Sequence, residues 1–118
     1  MATLTAKLTL TGNNLTSDSL NLSVSDIITV SKAVEIKRIT TSSTAAAIVA
    51  ASDYTKAWVF VKNMDTAIAM TLVKAEGGDV FMDLGPGEFA FFPWSTLIDL
   101  FVDAASGTPI LEVGIFEV

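Results

Sequence analysis

The sequence predicts an all-β fold, a sandwich or barrel of short and mostly antiparallel strands, and three observations carry that prediction. Apolar and polar residues alternate at period two along most of the chain, and turn chemistry recurs about every 8–12 residues. No long segment carries the 3.6-residue periodicity of a crossover helix, so sequential strands pair antiparallel. At 118 residues the chain has the length of one domain, enough to bury a core without disulfides. Residues 1–118 therefore read as a single β-sandwich domain, with residues 1–25 either its first strands or an extended arm or strand pair.

The first strand places Leu4, Ala6, Leu8 and Leu10 on one parity and Thr3, Thr5, Lys7 and Thr9 on the other. That pattern reads as half-buried with a wet polar face. Thr11-Gly12-Asn13-Asn14 supplies a turn, because Gly and Asn tolerate positive φ. Leu20, Leu22 and Val24 resume the alternation, and Ile28, Val30, Val34 and Ile36 continue it, with an irregularity expected near Ser31 to Ala33. The Ala-rich run Thr44 to Ala51 is compatible with either a helical turn or a strand. Trp58 to Val61 is apolar on both parities, which predicts a strand covered on both faces. Asn63-Met64-Asp65 reads as a tight turn into Ile68, Met70 and Leu72, and Gly77-Gly78 precedes Val80, Met82 and Leu84. Gly85-Pro86-Gly87 specifies a type II turn, since Pro presets φ at its second position and Gly accepts positive φ at its third. Phe89 to Phe92, Leu97 to Val102 and Ile110 to Val118 complete the strands.

Composition argues for adhesion instead of chemistry. The chain has no His and no Cys, which removes the commonest proton shuttle, metal ligand and thiolate nucleophile. Hydrophobic residues make up 51% and mean hydropathy is +0.57. Counting Gly and leaving out Tyr gives roughly 56% apolar, against about 45–50% for soluble domains, so part of the surplus is expected at a subunit or partner interface. A net charge of −6, with only seven Lys and Arg, argues against nucleic acid. The apolar runs fall short of the ~18–20 residues of a membrane span, and no signal peptide is expected.

Each candidate catalytic or metal constellation fails a physical test. Asp79 with Asp83, and Asp99 with Asp103, stand about 13 Å apart along a strand, too far for paired carboxylate catalysis within one strand. Gly85-Pro86-Gly87 lacks the Lys and the helix of a phosphate loop. Asn63 and Asp65 share the spacing of a calcium loop without its Gly and distal Glu. The ten Ser residues have no His to serve as a base, and Ser52 and Lys56 are four apart instead of three. No enzyme, cofactor or metal site is expected.

The aromatic residues are the better candidates. Phe89, Phe91, Phe92 and Trp94 crowd six positions that run through Pro93. One parity belongs to the core, expected to be Phe89 and Phe91, which leaves Phe92 and Trp94 either outward as interface anchors or covered within the subunit. Trp58 and Trp94 are also the residues that would stack on a sugar if the chain were a carbohydrate- or receptor-binding module.

Three segments resemble small virion proteins of tailed bacteriophages: Leu8-Thr9-Leu10-Thr11-Gly12 through Ser17 to Val24, Trp58-Val59-Phe60-Val61-Lys62-Asn63-Met64-Asp65, and Gly85-Pro86-Gly87-Glu88-Phe89-Ala90-Phe91-Phe92-Pro93. The resemblance implies a β-sandwich or jelly-roll module. It further implies a head decoration, or cement, protein, commonly trimeric, on the outer face of the major capsid protein and therefore on the outside of the virion. A minor tail component is the alternative within that family. Phe92, Trp94 and Trp58 are the expected partner interface.

Overall fold

The computed structural model describes residues 2–14, 20–31, 35–50, 55–74, 78–95 and 98–118, which hold ten strands and no helix. The chain divides into two compact units, Met1–Ser31 and Lys32–Val118.

The first unit is a two-stranded antiparallel ribbon of β1 (Ala2–Gly12) and β2 (Leu20–Val30). Its register sets Leu4 opposite Ile28, Leu8 opposite Val24 and Leu10 opposite Leu22. Paired residues share a face, so the period-two pattern puts most aliphatic residues on one side and most Thr and Ser on the other, with Ile27 beside Thr5 on the polar side. The strand pair runs past residue 25 to Val30.

The second unit is a sandwich of two four-stranded sheets. One sheet has the order β3-β10-β5-β8 (Glu35–Thr40, Ile110–Glu117, Lys56–Asn63, Phe89–Ser95). The other has the order β4-β9-β6-β7 (Ala46–Val49, Leu100–Ala104, Met70–Lys74, Val80–Leu84). Every pairing is antiparallel. The pairing is also nested: β3 bonds β10, β4 bonds β9, β5 bonds β8 and β6 bonds β7. The unit is therefore one long antiparallel ribbon, doubled back between β6 and β7, with successive segments alternating between the two sheets.

Alternation fills the space between the sheets. Ala57, Val59 and Val61 of β5 point inward with Leu111, Val113 and Ile115 of β10, and all six are buried. Leu72, Leu100 and Val102 meet them from the other sheet. A bulge opposite Leu72 and Val73 lets consecutive β7 residues Phe81 and Met82 both pack on this core. Val80, expected inside with Met82 and Leu84, is displaced outward and exposed by the same irregularity.

The turns follow their chemistry. Gly87 has φ +75°, and the Glu88 N–H donates to the Gly85 carbonyl at 3.1 Å, as a type II turn requires. The Glu88 carboxylate also accepts from the Gly85 N–H at 2.6 Å. The Ala-rich segment resolves as the strand β4, pinned through Ala46 and Ala47 to Val102 and Phe101. The irregularity expected around Lys32 and Ala33, together with Gly77, Leu97 and Ala51, lies outside the described residues.

Candidate interaction surfaces

The parity of β8 is the reverse of the expectation. Phe92 and Trp94 are each only 8% exposed and belong to the core, whereas Phe89 is 64% exposed and Phe91 points the same way. The reason lies in the partner strand. Phe92 pairs with Val59 and Trp94 with Ala57, so they share the inward face of β5, and Phe81 closes on both rings edge-to-face at 5.2 and 5.1 Å. The Trp94 indole N–H donates to the Ile98 carbonyl at 3.0 Å, completing its burial. Two of the three expected interface residues are thus internal. Nothing in the β8 sequence alone separates the parities; the signal was Ala57 and Val59, small residues that leave room for large rings opposite.

Trp58, the third, does point outward. Antiparallel register places it in a patch on the outer face of the β3-β10-β5-β8 sheet. One row across the strands reads Ile36, Gly114, Phe60, Phe91, and the next reads Phe116, Trp58, Pro93. The Trp58 and Phe91 rings are stacked at 5.0 Å and 17°, and the Phe116 ring meets Phe91 edge-on at 6.2 Å. Gly114 makes this possible, since a Cβ there would come within 3.2 Å of the Phe116 ring. Ile36 is 68% exposed, and Trp58, Phe60 and Phe116 are half-buried. The expectation that β5 is covered on both faces is corrected: apolar residues fill both parities because one side forms the core and the other an open aromatic face.

Charges flank this aromatic band. The row Arg38, Glu112, Lys62, Phe89 borders one end, with Arg38 Nε and Glu112 Oε2 3.3 Å apart, and Lys56 stands beyond the other. The outer face of the β4-β9-β6-β7 sheet is different: Thr71 sits between Asp83 and Asp103, its hydroxyl 3.5 Å from Asp83.

The ribbon carries a second apolar surface. Leu8, Leu10, Leu22 and Val24 share one face and are 45–68% exposed. At about 3.3 Å per residue and 4.8 Å per strand, these two adjacent rungs present a patch roughly 10 Å on a side, while Ile28 and Val30 farther along the same face are buried. Asp26, opposite Ala6, is the one charged member of that face among the described residues, and its Oδ1 accepts the Ile27 N–H at 2.9 Å.

The spacing that suggested a calcium loop has another role. Asn63 is fully buried, its Nδ2 donating to the Ile68 and Leu84 carbonyls at 2.8 and 3.1 Å while its Oδ1 accepts the Asp65 N–H at 2.9 Å. Asp65 Oδ2 accepts the N–H groups of Ala67 and Ile68 at 2.9 and 2.7 Å. Those backbone bonds, Ala67 first, hold its carboxyl below the ordinary value. Both side chains lock the β5–β6 turn. Among the described residues no three His, Cys, Asp or Glu side chains gather as a metal site, and no helix is long and apolar enough to cross a membrane.

Comparison of the chain with protein-family models, curated proteins and solved structures returns no match.

Proposed function

We propose that this chain is a non-catalytic structural subunit of a tailed-bacteriophage virion, a head decoration protein that binds the outer face of the major capsid protein and braces the shell. The observation that carries the reading is the aliphatic ladder of Leu8, Leu10, Leu22 and Val24 on a two-stranded ribbon. An isolated two-stranded hairpin in water is marginally stable at best, and exposed apolar patches mark contact surfaces, so these exposed aliphatic residues favour association with a partner. The nested pairing of β3–β10 supports the same reading, because a doubled ribbon wrapped into two sheets is how a jelly roll is built. Self-association, with a trimer as the form the resemblance implies, belongs to the proposal.

The test is decoration of shells. Purified chain is mixed with expanded capsids of the parent phage that lack it, then sedimented, heated and imaged by cryo-EM. Co-sedimentation, a raised temperature of DNA release and added density on the outer shell are the expected results. Free chain left in the supernatant at saturating concentration, or density confined to the tail, overturns the reading.

The outward Trp58 and Phe91 rings favour carbohydrate binding as the second reading. Their mutual stacking covers one face of each ring. Tryptophan emission that responds to a sugar panel, with shells left bare, would establish it in place of decoration.

A further inference from the structure

We infer that the outward face of the β3-β10-β5-β8 sheet is the surface that meets the shell, and that its counterpart is an apolar protein surface edged with carboxylates. The inference rests on the decoration reading and goes further by naming the face and the chemistry of its partner.

The geometry is that of a protein interface. Fully desolvated contact centres are rich in Trp, Phe and Arg and are ringed by polar residues that exclude water. Here the rings of Trp58, Phe91 and Phe116 pack on one another beside Phe60, with the Phe116 ring over the gap at Gly114. Its border holds Arg38, Lys62 and Lys56 against a single acid, Glu112. That border has a net charge of +2 on a chain whose total is −6. Lys56 and Lys62 make no ion pair among the described residues, while Arg38 reaches Glu112.

Charge chooses the occupant. A second copy docked face to face would set lysine borders against lysine borders, which costs association energy and slows encounter. An acidic border on the partner removes that penalty and steers approach. The opposite outer face, with Asp83 and Asp103 on either side of Thr71, would repel the same partner. The two faces therefore discriminate, and the molecule lands one way up.

The experiment compares shell binding by the wild type, Lys56→Glu/Lys62→Glu, Phe89→Ser and Asp103→Asn across a salt series. All four changes are on the surface, and thermal melts verify folding. The double charge reversal is expected to weaken binding about tenfold or more at low salt, with the difference shrinking as ionic strength rises. Phe89→Ser should weaken it severalfold, and Asp103→Asn should leave it unchanged. Wild-type binding that the double reversal and Phe89→Ser do not alter overturns the assignment of the face while decoration stands. Shells that bind no wild-type chain overturn both. A labelled oligothymidylate of about 15 nucleotides is the remaining arm. Its tight, Lys56/Lys62-dependent binding, with bare shells, would make the aromatic band a nucleic-acid platform and overturn the inference.

Discussion

Replacing Asn63 by Leu tests the physical account of the fold most directly. The side chain is fully buried, and all three of its polar contacts go to backbone groups: the carbonyls of Ile68 and Leu84 and the N–H of Asp65. Leucine has nearly the same shape and removes all three bonds at once. Two carbonyls and one N–H then lose their partner near the core. A buried group without its partner costs about 1–3 kcal/mol, but the Asp65 N–H lies at a half-buried turn where water reaches it. The Ile68 carbonyl lies at the same half-buried turn, so the buried Leu84 carbonyl dominates, and the expected loss is about 2–3 kcal/mol. For a domain of this size the urea slope is about 1–3 kcal/mol/M, so the midpoint should fall by about 1–3 M. Asn63→Asp should be at least as harmful, because a carboxylate cannot donate to either carbonyl. Equilibrium urea unfolding followed by tryptophan fluorescence is the assay. A Leu variant within about 0.5 kcal/mol of wild type would refute the claim that this network holds the β5–β6 turn.

Three further outcomes are expected. Trp94→Ala should destabilise the isolated chain by about 3–5 kcal/mol in the same assay, because the ring fills the core against Phe81 and Phe92; a stable variant with impaired assembly would return Trp94 to the surface. Gly87→Ala should cost about 1 kcal/mol through its φ of +75°, read as a lowered melting temperature. Asp65 sets an acid limit: its carboxyl titrates below the ordinary 3.8 in the folded chain, so the stability it contributes is complete above that pH. It is lost as pH falls through the lower folded value. Melts between pH 5 and pH 2 should therefore decline less steeply for Asp65→Ala than for wild type.

Backbone architecture was legible because it depends on local rules. Alternation at Leu4 to Leu10 and Leu20 to Val24 marked two strands, and Pro86 with Gly87 marked a turn whose φ values those residues prefer. Which face of a strand turns inward was not legible where both parities are apolar. In Phe89 to Trp94 and Trp58 to Val61 either choice buries hydrophobic area, and the decision falls to the volume offered by Ala57 and Val59 across the ladder. Ile36 illustrates the same limit. Continuing the parity of Ile28 and Val30 would bury it, yet register with Gly114 sets it outward. The candidate surface was visible only as an excess of apolar residues. Assembling it from β3, β5, β8 and β10 required pairings between residues up to 80 positions apart, such as Ile115 with Glu35.

The way the sandwich protects its edges limits how it associates. β4 has four residues, β7 is kinked by its bulge, and β3 carries Glu35, Lys37 and Arg38, each a known means of discouraging strand addition. On β8 the device is Pro93. The Asn63 N–H bonds the Glu88 carbonyl, and antiparallel ladders alternate bonded with non-bonded pairs, which makes Trp58–Pro93 a non-bonded pair. The N–H that proline lacks is thus one that would point away from β5, toward the free edge. Pro93→Thr should restore that donor without breaking any bond to β5, leaving the melting temperature within a few degrees while opening the edge. Light scattering at rising concentration should then show larger species for the variant, with new intermolecular β-sheet in the infrared amide band. If the variant associates no more than wild type, edge protection does not control association here, and the argument that this molecule joins its partners through faces loses its support.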